Sequence, residues 1–155
     1  MSLCLDERRE NMLHVWDPGE AGGEPPIHNH PFDFISTIIV GEMTNTRYYE
    51  DPAGQEYHRF HYSPPNEDAR RSDIVRLSGI ATTYTAGEQY RQLAHELHDS
   101  RQLPGTVTAI QRSFRDITEL TVCSSRREQW ISGKARPATQ DEIKRLTTKA
   151  LEWFS

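Results

Sequence analysis

Residues 26–41 read PIHNHPFDFISTIIVG, and the interpretation of the fold turns on this run. Its second half, residues 34–40, is rich in β-branched and aromatic side chains, the composition of a strand, and Gly41 ends it. Its first half sets His28 and His30 two residues apart in a chain with seven histidines. In extended backbone both imidazoles point the same way, about 6–7 Å apart along the strand, so the pair can chelate one metal ion. Asp33 has two readings. In a regular strand it faces away from the histidines and is a turn or hydrogen-bonding residue; a bulge at Pro31 turns it inward as a further ligand.

Outward from this run, short strand-like segments alternate with turn residues. Residues 12–16 (MLHVW) stop at Asp17-Pro18-Gly19, and a Gly/Pro-rich loop over 17–26 leads to His28. The segment 43–50 is extended, and Asp51-Pro52-Ala53-Gly54 carries a turn signal that predicts a hairpin to residues 56–62. A polar loop over 64–72 precedes further strand-like segments at 73–85, 89–93, 105–112 and 117–124. The character changes at Thr139-Gln140-Asp141-Glu142, a capping box. Ile143, Leu146, Ala150, Leu151 and Phe154 follow at helical spacing and predict a terminal helix over about 139–154. Many short strands and one terminal helix predict an all-β sandwich or barrel in a single domain spanning 1–155.

Composition narrows the function classes. Eighteen Lys plus Arg against 23 Asp plus Glu give a net charge of −5 with no basic block, which argues against a nucleic-acid partner. Cys4 and Cys123 make no disulfide framework. The opening MSLCLDERRENM turns charged within six residues, no apolar run is long enough to span a membrane, and the chain reads as soluble and cytoplasmic.

A third histidine has to come from elsewhere. The segment GEQYRQLAHELHDS offers His95 and His98 at the end of a strand-like stretch; His98 follows an apolar residue and precedes Asp99, a partner able to orient an imidazole. His14 reads as a packing histidine in an apolar strand, and His58 and His61 fall on opposite faces of one strand.

With the paired histidines, the closing Gly41 and the downstream Gly87 and His98, the chain resembles the cupin superfamily over about residues 12–125. It also looks like a group of small single-domain bacterial cupins with a His-x-His-Pro-aromatic-Asp-Phe first motif. The resemblance implies a cupin-type β-barrel (double-stranded β-helix, or jelly roll) and a metal held by His28, His30 and His98; His95 competes with His98 as the third ligand, and Asp33 is a further, fourth candidate. The glutamate of the first cupin motif falls here on Phe34 or Ile35, as in thiol dioxygenase-like cupins that lack it, and the Pro-x-Gly turn of the second motif is replaced by Ala94-His95-Glu96. Imidazole ligands suit Fe(II), Ni, Mn or Zn, and the resemblance to dioxygenase-like cupins makes Fe(II) the first expectation. The functions this implies are a small non-haem dioxygenase-like oxygenase acting on a small-molecule substrate, a redox-neutral metal-dependent isomerase, epimerase or lyase, or a non-catalytic binding or sensor module. Tyr49, Tyr90 and Arg112 are candidate catalytic residues, Arg47 or Arg112 an anion clamp, and a homodimer is the expected assembly.

Overall fold

The computed structural model describes residues 2–16, 26–63, 70–125, 139–141, 144 and 148. Over these residues the chain is almost wholly β, in two five-stranded sheets. The first sheet has the order Ser2–Cys4 (β1), Asn11–Val15 (β2), Val107–Phe114 (β9), Phe32–Val40 (β4), Gln89–Gln92 (β7). The second runs Leu120–Ser124 (β10), Ile27–His28 (β3), Leu97–Gln102 (β8), Glu42–Tyr62 (β5), Arg70–Thr85 (β6). Neighbours in both sheets are antiparallel.

Strand β4 is the centre of the first sheet because its sequence alternates. Phe32, Phe34, Ser36 and Ile38 share one buried face, while Ile35 is partly exposed on the other. Phe32, Phe34, Ile38 and Tyr90 pack with Met43 of β5, which joins the two sheets across a common core. Each of these large apolar side chains contributes roughly 1.5–3 kcal/mol on burial. Gly41 reverses the chain from β4 into β5 at φ 84°, and Thr106 closes the corner by donating from Oγ1 to the Glu42 carbonyl at 2.9 Å.

The hairpin predicted at residues 51–54 does not form. Strand β5 runs on through this segment, and both Glu50 and Gln55 pair with Leu77, so Asp51-Pro52-Ala53-Gly54 is bulged out of one continuous ladder. The Asp51 carboxylate accepts from the Ala53 amide (2.9 Å) and the Ser78 hydroxyl (2.6 Å), which stabilises the bulge. Gly54 is required for closeness rather than for a positive φ: a Cβ there would lie 2.5 Å from the Leu77 backbone. The predicted polar loop also ends early, since Arg70 and Arg71 already pair with His61 and Phe60 as the start of β6.

The length of β5 shapes the second sheet. Met43–Tyr48 pair with β8, while residues 58–62 pair with β10, and the two-residue strand β3 fits between β8 and β10. Register then fixes the faces. His28, His98 and Arg47 lie side by side on the face toward the first sheet, and Ile27, Leu97 and Tyr48 point the other way into a second buried cluster with Val75, Leu77 and Cys123. Burial pushes the Cys123 thiol up to about 11, so it is a packing residue.

The terminal helix predicted over 139–154 falls on a segment most of which lies outside the described residues; the described ones at 140, 141, 144 and 148 are helical. Among the described residues no helix is long and apolar enough to cross a membrane.

Candidate metal centre

The chain brings three imidazoles together from two elements distant in sequence. His28 ends β3 directly opposite His98 of β8, and His30 follows two residues later, where the chain leaves the second sheet for β4 in the first. The His30 amide donates to the Ala94 carbonyl at 3.3 Å, which holds this crossing in place. Ring centroids are 4.6 Å apart for His28–His30, 4.9 Å for His28–His98 and 5.1 Å for His30–His98. One ligand nitrogen from each lies within 4.8 Å of the others.

Hydrogen bonds on the far side of two rings decide which nitrogens are available. His28 Nδ1 donates to the Pro26 carbonyl at 2.9 Å and His98 Nδ1 donates to Asn45 Oδ1 at 2.8 Å. Both rings therefore carry their proton on Nδ1 and leave an Nε2 lone pair free. Nε2 of His98 lies 3.0 Å from Nε2 of His30. Desolvation lowers all three basicities: His98 is pushed down to about 3, with His28 and Arg47 adding repulsion, and His28 and His30 are also lowered chiefly by burial. At neutral pH the triad is uncharged, the form in which imidazole binds metals.

The three ligand nitrogens, all within 4.8 Å of one another, form a group that could hold one ion. The 3.0 Å between His30 Nε2 and His98 Nε2 is itself a hydrogen-bond distance, with His30 Nε2–H donating to the bare His98 Nε2.

Asp33 is not part of this group. Strand β4 is regular from Phe32 to Ile38, so Asp33 points to the face away from the histidines. Its Oδ2 accepts from Arg115 (2.5 and 3.2 Å) and Arg91 (3.3 Å), and its Oδ1 accepts from the Ala94 amide (2.9 Å). The Arg115 hydrogen bonds, with the Ala94 amide next, hold its carboxyl well below the usual carboxylate range. Asp33 thus ties β4 to the turn before β8. We predict that Asp33→Asn weakens the fold by about 1–3 kcal/mol in urea denaturation at pH 7 and leaves metal content unchanged. Loss of the metal in that variant would place the carboxylate in the site after all.

Phe34 presents its ring beside the imidazoles, 5.4 Å from His30 and 5.8 Å from His98, and is 5% exposed. Phe32 stacks on His30 at 4.8 Å, and the Arg112 guanidinium carbon lies 4.4 Å from the centroid of the Phe32 ring. Arg112 has a buried Nε without a hydrogen-bond partner. Tyr90 is buried against Phe34 and directs its hydroxyl to Met43 Sδ at 3.3 Å; burial raises its pKa, so it stays protonated. Tyr49 is half exposed. Arg47 is occupied: it donates to Gln92 Oε1 and to the Arg91 carbonyl, with Glu96 3.8 Å away. His95 is exposed in the turn between β7 and β8, outside the triad.

Asp99 does not orient His98. Neighbouring strand residues face opposite ways, and Asp99 accepts from the Tyr48 hydroxyl at 2.8 Å on the far face. Asn45 takes that role, a residue the sequence reading passed over. Its one signal was local: asparagine is depleted from strand interiors, and Asn45 stands inside MTNTRYY. No protein-family model and no curated protein matches the chain.

Proposed function

We propose that the protein is a cupin-type metal-binding protein acting as a small non-haem oxygenase, its ion held by His28, His30 and His98. The observation that carries this reading is the convergence of three neutral imidazoles with the His98 and His30 Nε2 atoms 3.0 Å apart. Three imidazoles suit Fe(II), Ni, Mn or Zn, and among the described residues no carboxylate joins the group. When bound, Fe(II) would supply O2 activation, and a redox-inactive ion would supply Lewis acidity.

The chain's own residues then do three things. The Nδ1 hydrogen bonds to Pro26 and Asn45 orient two rings. Phe32 and Phe34 wall the site with apolar surface, which excludes water from one side. Arg112, with an unsatisfied buried Nε, offers positive charge next to Phe32 for an anionic group of a small substrate. The redox-neutral alternative needs a base beside the triad; the nearest buried tyrosine, Tyr90, has its pKa raised by burial and its hydroxyl on Met43, which disfavours it in that role.

The test is metal content of anaerobically purified protein by mass spectrometry, with O2 uptake measured against a panel of small carboxylates and thiols. One iron per chain and substrate-dependent O2 consumption are expected. Zinc or nickel without O2 consumption would transfer the assignment to Lewis-acid chemistry. Absence of any metal would leave only the binding-module reading.

A further inference from the structure

The hydrogen-bond network behind His98 contains more information than a single contact. Asn45 is 2% exposed and Gln92 fully buried, and they bridge the two sheets: Asn45 Nδ2 donates to Gln92 Oε1 at 3.2 Å. Two buried primary amides in a core are costly unless each atom has a partner. Here each does, and the partners are of fixed type. Arg47 Nε has only a proton to give, and it gives it to Gln92 Oε1 at 3.3 Å. The Glu96 backbone carbonyl can only accept, and it accepts from Gln92 Nε2 at 3.3 Å. Gln92 is thereby locked from both ends, with its oxygen toward Asn45.

The constraint propagates. With the Gln92 oxygen facing it, Asn45 must turn its NH2 there and its oxygen the other way. That oxygen also accepts from Ser100 Oγ at 3.3 Å, a hydroxyl that can serve either amide orientation, so the orientation is set from the Gln92 side. The same oxygen faces His98 Nδ1 at 2.8 Å, so the proton of His98 has to be on Nδ1. The geometry points to Asn45 and Gln92 as positioning residues, a buried amide relay through which Arg47 and the Glu96 carbonyl fix the tautomer of His98. The relay keeps the Nε2 lone pair aimed at His30 before any ion arrives. An imidazole without this relay favours the opposite tautomer, with Nε2 protonated, and such a ring must first lose or move a proton to bind.

The tautomer itself rests on the geometry alone, while its consequence for metal affinity rests on the reading of the triad as a metal site. The test separates them. Two-bond proton–nitrogen NMR spectra of metal-free, nitrogen-15-labelled protein at pH 7.5 report the tautomer of each histidine. Wild type is expected to show His98 with Nδ1 protonated and Nε2 bare. Asn45→Leu removes the acceptor at nearly constant volume and is expected to shift His98 toward the Nε2-protonated form, with Ni(II) affinity falling about 10–100-fold. Asn45→Asp restores an acceptor toward His98 but sets a carboxylate oxygen against Gln92 Oε1. It is expected to lower stability while keeping the wild-type tautomer and near-wild-type affinity, a separation that a merely structural role does not produce. Gln92→Leu frees the Asn45 amide to flip and is expected to give a mixture of both tautomers.

A wild-type spectrum with His98 protonated on Nε2 overturns the proposal whatever the variants do. So does an unchanged spectrum in Asn45→Leu, and an unchanged spectrum in Gln92→Leu removes the outer half of the relay. If wild type takes up no Ni(II) while the tautomer responds as stated, the metal assignment fails and the relay stands.

Discussion

Replacing His98 with alanine is expected to abolish the metal binding proposed for the triad: after dialysis the variant should retain no ion, and its affinity for Ni(II) should fall at least about a thousand-fold below wild type, or about 4 kcal/mol. The size of the effect follows from the site's economy. Three neutral nitrogens are the only protein ligands gathered among the described residues, with no carboxylate to take over, so removing one leaves a two-histidine chelate. His98 is also the ligand whose neighbours are most committed, being 3% exposed and held through Asn45. His95→Ala, only three residues away, is the matched control and is expected to bind metal as wild type does, because His95 is exposed outside the triad. Equal loss in both variants would sink the ligand assignment. Metal content by mass spectrometry and titration calorimetry decide the matter.

Metal-free protein loses stability steeply between pH 7 and pH 5. His14 is pushed down to about 4 by burial, with repulsion from Arg112 adding to it, and His98 to about 3. Unfolded histidine titrates near 6.5. Between that value and the folded one the unfolded chain binds more protons, so stability rises with pH there. The contribution is fully present above about 6.5 and is lost progressively as the pH falls toward the folded values. By pH 5 each of these two imidazoles has withdrawn about 2 kcal/mol, and His28 and His30, also lowered, act in the same direction. Against a total of about 5–15 kcal/mol for a domain, that removes a substantial share of the folded state's margin. Urea denaturation at pH 7, 6 and 5 measures it, and a stability flat across that range would contradict buried neutral histidines. Saturating metal should shift the transition to lower pH, since an ion on the Nε2 atoms competes with the proton.

Both expectations rest on residues that were partly visible in the sequence. The alternation Phe32, Phe34, Ser36, Ile38 marked β4 and its buried face before any coordinates, because a period of two is a local property of the chain. The expectation that one extended strand sets His28 beside His30 is replaced by a crossing between sheets at residues 29–31, while the regular strand from Phe32 keeps Asp33 on the face away from them. The Asp51–Gly54 segment shows the limit. A proline–glycine signal is the same whether the chain reverses or bulges, and the distinction lies in whether Glu50 and Gln55 find the same partner, Leu77, 22 residues beyond Gln55. Asp99 illustrates a second limit: adjacency to a ligand in sequence means opposition across the sheet, so the nearest acid by number is on the wrong face.

By itself, then, the sequence determined the all-β character, the paired histidines and a short choice for the third. These follow from composition and from spacing within one segment, where covalent geometry sets the distances. Only the tertiary structure decided that His98 rather than His95 meets the pair, that Phe34 stands beside the imidazoles, and that Asn45 and Gln92 stand behind His98. Asn45 and Gln92 are 47 residues apart and belong to different sheets. Their meeting depends on strand register and on how the sheets face each other, and a shift of one residue in either would turn every one of these side chains to the opposite face.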